Sequence, residues 1–98
     1  TGGADLFTRG DSNDDGLFDI SDAVYSLAAL FIPGSQPPGC LDAGDTNDDW
    51  LFYISDPLFT LASLFIPGSD VPPSPHPSCG VDPTDTDPLD CAEFDSCP

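Results

Sequence analysis

Basic residues are what this 98-residue sequence most lacks. A single Lys or Arg, Arg9, stands against 18 Asp plus Glu, giving a formal net charge of -17 and a pI near 4.1. That deficit excludes nucleic acid as a partner, because a phosphate backbone needs a basic footprint, and it argues against docking on an anionic membrane. No apolar run approaches the roughly 18 residues that span a bilayer. Glutamate is nearly missing as well: Glu93 is the one exception among the acids. There is one histidine, His76, set among prolines, and no Cys-x-x-Cys pair, which argues against a zinc site. A phosphate-binding glycine loop is absent, and no serine or cysteine forms a recognisable constellation with the histidine, so the chain is expected not to be an enzyme. Disorder is excluded in turn, since hydrophobic residues make up 39% and aromatics 10%.

The four cysteines, Cys40, Cys79, Cys91 and Cys97, are an even set in a chain too small for a large core. They are expected to form disulfides and so to place the protein in an oxidising, extracellular, secreted setting. Spacing alone leaves three pairings open. A start at Thr1 without a signal core fits either a processed secreted protein or an excised domain.

The sequence repeats itself. Gly10-Asp11-Ser12-Asn13-Asp14-Asp15 returns 34 residues later as Gly44-Asp45-Thr46-Asn47-Asp48-Asp49. The match runs on through Ile20-Ser21-Asp22 and Ile54-Ser55-Asp56 to Leu30-Phe31-Ile32-Pro33-Gly34 and Leu64-Phe65-Ile66-Pro67-Gly68. Two units, about 5–38 and 39–72, therefore form one duplicated domain over 1–72, and 73–98 is a proline-rich connector with a cysteine-rich tail. Each unit reads as an acidic loop followed by a helix of about three turns, capped in the first copy by Ser21 or Asp22 and stopped by Pro-Gly. Val24, Leu27, Ala28, Leu30 and Phe31 form one stripe, and Leu58, Leu61, Ala62, Leu64 and Phe65 the other. Helices this short cannot stand alone, so the stripes are expected to pack together. The predicted fold is small and all-α: two loop–helix units packed as a pair, plus an irregular disulfide- and proline-rich C-terminal segment.

In the first loop, Asp11, Asn13, Asp15, Asp19 and Asp22 occupy positions 1, 3, 5, 9 and 12, with Gly16 at 6 and the Leu17 carbonyl at 7. This is a calcium-loop spacing: the backbone winds once around a hard cation that takes six or more oxygens. Phe18 is expected to turn inward and pair with Phe52 of the sister loop. The second loop keeps Asp45, Asn47, Asp49, the Leu51 carbonyl and Asp56. Trp50 replaces the glycine that normally takes φ > 0, and Tyr53 replaces the ligand at position 9, so a second, weaker or distorted site is expected. Trp50 and Tyr53 face outward, either as drift in a decaying repeat or as a contact patch for a protein or a sugar. Asp82, Asp85, Asp87 and Asp90 crowd the tail as a candidate third cation site, with a proline-braced turn as the plainer reading. Arg9-Gly10-Asp11 spells a cell-adhesion tripeptide, read as coincidence because Asp11 is needed as a ligand. His76 is read as an exposed loop residue.

The run from Asp11 to Gly16 and Ile20-Ser21-Asp22, with its copy from Asp45 to Asp49 and Ile54-Ser55-Asp56, resembles a dockerin domain, whose loops also end in Asp. The tail is similar to those of dockerin-like repeats in secreted proteins of environmental bacteria. The resemblance implies a secreted, non-enzymatic module with two bound Ca2+. It implies docking to a cohesin-like domain through loop positions 10 and 11, here Ile20, Ser21, Ile54 and Ser55. The alternative expectation is that the partner is another copy of the chain, building a fibre or surface layer by head-to-tail contacts.

Overall fold

The computed structural model describes residues 6–83 and 89–97. Among the described residues three helices form, α1 (Ile20–Phe31), α2 (Leu41–Gly44) and α3 (Ser55–Phe65), with no strand beyond two isolated bridges, Phe7 with Gly80 and Cys40 with Cys91. None of these helices is long and apolar enough to cross a membrane.

Helix α1 begins at neither Ser21 nor Asp22. Its N-cap is Asp19, whose carboxylate accepts from Ser21 N at 3.1 Å, while Asp22 at N3 reaches back to accept from Asp19 N at 2.9 Å. The reciprocal pair satisfies two backbone donors that the first turn otherwise leaves open. Helix α3 has no side-chain cap, because Tyr53 stands where Asp19 stands in the first copy; Asp56 still accepts from Tyr53 N at 2.9 Å. Both helices end in Pro-Gly, with Gly34 and Gly68 at φ 86 and 85.

The apolar stripes are only partly buried: Leu27, Ala28, Leu30, Leu61, Ala62 and Leu64 are half-buried. Helices α1 and α3 contact each other, but α1 buries Asp22, Ala23 and Ser26, and α3 buries Asp56, Pro57 and Thr60. Val24, Phe31, Leu58 and Phe65 are exposed. Small and polar residues line the inner faces because each helix must bring its twelfth-position aspartate into a loop, and that requirement fixes which side turns inward.

The apolar core lies elsewhere. Phe7, Cys40, Ala43, Cys91 and Phe94 form it, with the Phe7 and Phe94 rings edge-on at 6.5 Å between centroids. The disulfides are Cys40–Cys91 and Cys79–Cys97. Cys91 and Phe94 thus pack into the same core as Phe7 and α2, and Glu93 N donates to Gly39 O and Leu41 N to Asp90 O.

The repeats also exchange prolines. A Cβ at Gly10 would sit 2.8 Å from the Phe18 ring and 3.3 Å from Pro72 of the second unit; one at Gly44 would sit 3.0 Å from the Phe52 ring and 3.0 Å from Pro38 of the first. Phe18 therefore lies over Gly10, and its ring meets His76 edge-on at 4.8 Å. The expected Phe18–Phe52 pair does not form, since each aromatic covers the glycine at the start of its own loop. His76 is correspondingly half-buried and placed by its contact with Arg9 O, 2.8 Å from Nδ1, rather than loose in a loop.

Candidate metal centres

Position 1 organises each loop. Asp11 Oδ1 accepts from Asp15 N at 3.1 Å and Oδ2 from Gly16 N at 2.9 Å; Asp45 accepts in the same way from Asp49 N at 3.2 Å and Trp50 N at 3.0 Å. Short side chains bonding to their own loop amides curl the backbone around a point. Asp15 and Asp49 in turn accept from Leu17 N and Leu51 N. The result is two carboxylate triads, Asp11–Asp15–Asp22 and Asp45–Asp49–Asp56, each with oxygens within 4.8 Å of one another. In each triad the first and last members are buried and the middle one exposed.

Burial is the main reason the first and last carboxyls of each triad resist ionising. Asp22 is pushed from 3.8 up to about 7 by desolvation, with the charges of Asp11 and Asp15 adding to it. Burial raises Asp11 in the same way; it also raises Asp45, with the charge of Asp56 adding to it, and Asp56, with the charge of Asp49 adding to it. Asn13 Oδ1 is buried without a hydrogen-bond donor, while its Nδ2 donates to Ser21 Oγ at 3.0 Å. An oxygen-only donor set, crowded acids and an orphaned amide oxygen fit a hard divalent cation such as Ca2+ and suit softer metals poorly.

Asp19 stays outside the triad, its carboxylate engaged as the α1 cap. Ser21 and Ser55, expected as contact residues, accept from Asn13 and Asn47 across their loops and so orient the position-3 amides. Ile20, Ile54, Leu17, Leu51, Trp50 and Tyr53 have exposed side chains. In the tail, Asp85 and Asp87 lie outside the described residues; Asp82 pairs with Arg9 at 3.0 Å and Asp90 is exposed. Neither triad draws on the tail.

Arg9 is a site residue that sequence reasoning passed over. It is 0% exposed, which closes the adhesion tripeptide to any receptor. Being the sole strong cation in so acidic a chain was the available signal.

Trp50 takes φ 72, close to the 83 of Gly16, so the second loop keeps the shape of the first at the expense of a left-handed tryptophan. Since its side chain is 44% exposed, little packing is lost by removing it. Trp50→Gly is expected to stabilise the second loop by about 1 kcal/mol, roughly fivefold in metal affinity. Calorimetric calcium titration checks this; an unchanged or weaker second site would contradict it.

No family model matches the chain, and no curated protein or solved structure matches it either.

Proposed function

We propose that the chain is a secreted, non-enzymatic, dockerin-like module: two Ca2+ ions order the loops, and the helices then present an apolar face to another protein. Most of the loop hydrogen bonds recur across the 34-residue offset, which favours duplicated sites of one kind over a chance cluster of acids. One further observation carries the docking half. Leu17, Ile20, Val24, Phe31 and Ile32 are exposed, and so are their copies Leu51, Ile54, Leu58, Phe65 and Ile66. Phe31, Ile32, Phe65 and Ile66 leave between 59% and 63% of their surface open. Such a set of large exposed side chains is expected to meet a partner.

Charge selects the kind of partner. The surface is acidic and the sole Lys or Arg is buried, so an apolar centre ringed by Lys and Arg, as on a cohesin-like domain of suitable charge, complements it. A second copy offers apolar surface but no matching cation, which makes the fibre or surface-layer reading the weaker one.

Sedimentation velocity over a wide concentration range, in calcium and then in chelator, separates the two. The plug reading expects a monomer throughout; growth of large species in calcium would replace it with self-assembly. Phe31→Ser with Phe65→Ser is expected to leave two calcium ions per chain and to remove any such association. Calorimetry giving no calcium uptake would end both readings.

A further inference from the structure

The fourth loop position is treated alike in backbone and differently in partner. Asp14 and Asp48 have φ 58 and 55, the left-handed region that a side chain enters at some cost. Asp48 Oδ1 lies 3.4 Å from Arg9 Nη1. The first loop has no second arginine to use. Asp14 instead accepts from two successive tail amides, Asp95 N at 2.6 Å and Ser96 N at 2.8 Å, and Ser96 Oγ donates to Asp14 O at 2.8 Å. Consecutive N–H groups of this kind make a cradle for an anionic oxygen.

The tail is fastened where it meets the loop. Ser96 precedes Cys97, which is bridged to Cys79; Thr8 Oγ1 contacts Cys79 Sγ at 3.4 Å, and the neighbouring Gly80 exchanges backbone hydrogen bonds with Phe7. The bridge thus ties the tail to the segment leading into loop 1. Both of its cysteines are partly exposed, whereas Cys40 and Cys91 are 2% exposed. An external reductant meets Cys79–Cys97 first.

We propose that residues 94–97 are a clamp on the first calcium loop, closed by the Cys79–Cys97 bridge, so that reducing this bridge weakens calcium at loop 1 and spares loop 2. The proposal rests on the calcium reading above. A dithiol supplies the chemistry: one thiolate attacks a bridge sulfur to form a mixed disulfide, and its second thiol displaces the protein sulfur. Two electrons and two protons pass to the protein, which gains two thiols while the dithiol becomes a cyclic disulfide. Cys40–Cys91 and Phe94 still hold the rest of the tail in the core. Only the residues touching Asp14 come free, and loop 1 must then find its left-handed turn, with Asp14 unneutralised, when calcium binds.

The test is a calcium titration by heteronuclear NMR of the oxidised protein, of the Cys79→Ser/Cys97→Ser variant and of Ser96→Ala. The Gly16 amide reports loop 1 and the Trp50 amide loop 2. Removing the bridge is expected to weaken loop 1 roughly tenfold, about 1.4 kcal/mol, to leave loop 2 within twofold, and to speed amide exchange at Asp95 and Ser96. Ser96→Ala, which keeps both disulfides, is expected to weaken loop 1 alone by roughly threefold. Loops that titrate normally but are both unchanged, or both weakened alike, overturn the clamp. If neither loop of the oxidised protein titrates, the calcium reading fails and the proposal falls with it.

Discussion

In chelator at pH 8 the protein is expected to lose much of its helix signal and to melt far below its calcium-bound form, and the gap should narrow as the pH is lowered toward 5. Four aspartates that burial and like charge hold well above the usual carboxylate range set this direction. Asp22 titrates near 7 in the metal-free fold against 3.8 in an exposed chain. Between those values the metal-free fold binds more protons than the unfolded chain, so its stability falls as pH rises and grows as pH drops. That trend runs opposite to ordinary acid denaturation. Calcium reverses it, because the ion needs the same oxygens deprotonated and must release protons to bind. Affinity is therefore expected to fall on acidification while the chelated protein gains stability. Circular-dichroism melts at pH 5, 6, 7 and 8, with calcium and with chelator, measure both. A chelated melting temperature that is flat or falls from pH 8 to 5 would refute the account, as would melts that calcium does not move.

How much of this could be read from the sequence follows from how local each feature is. Asp11, Asp15 and Asp22 belong to one loop and the turn after it, so their spacing alone brings them together, and the same holds for Asp45, Asp49 and Asp56. The left-handed backbone at Trp50 was legible because the repeat aligns it with Gly16. The cap was missed by two or three residues: Asp19 was assigned to a cation, and a carboxylate at that point serves a helix equally well. Helix periodicity overstates burial: the middles of the two stripes are half-buried, but their ends, Val24, Phe31, Leu58 and Phe65, are exposed. Spacing carries no information about Phe18 finding His76, about Asp95 and Ser96 finding Asp14, or about which cysteines pair. Those contacts join residues between 18 and 82 positions apart and are decided by the packing of the tail, which has no counterpart inside the repeat.

Replacing Arg9 is expected to be the most damaging single change in the chain. Its Nη1 donates to Asp42 O at 3.1 Å and Asp45 O at 3.3 Å, its Nε to Ser74 O at 3.3 Å and its Nη2 to Asp82 Oδ1 at 3.0 Å. The guanidinium also lies 5.3 Å from the Phe7 ring centroid. One planar, always-charged group thereby joins the N-terminal segment, the second loop and the tail, a task a lysine's point charge cannot repeat. Arg9→Ala takes the guanidinium from the carbonyls of Asp42, Asp45 and Ser74 and breaks the ion pairs with Asp48 and Asp82, and is expected to cost about 3–5 kcal/mol, a drop on the order of 20 °C in Tm for a domain of this size. Arg9→Lys should fall between the two. The cause can be separated from simple loss of volume with Arg9→Met, which keeps most of the bulk. In the parent, Asp82→Asn removes the ion pair with Arg9 and should destabilise; in the Arg9→Met background that pair is already gone and the same change should cost clearly less. Denaturant melts of the four proteins in calcium give the cost in each background. An equal cost in both, or an Arg9→Ala effect within about 1 kcal/mol, would mean that the arginine is not what holds the second loop and the tail together.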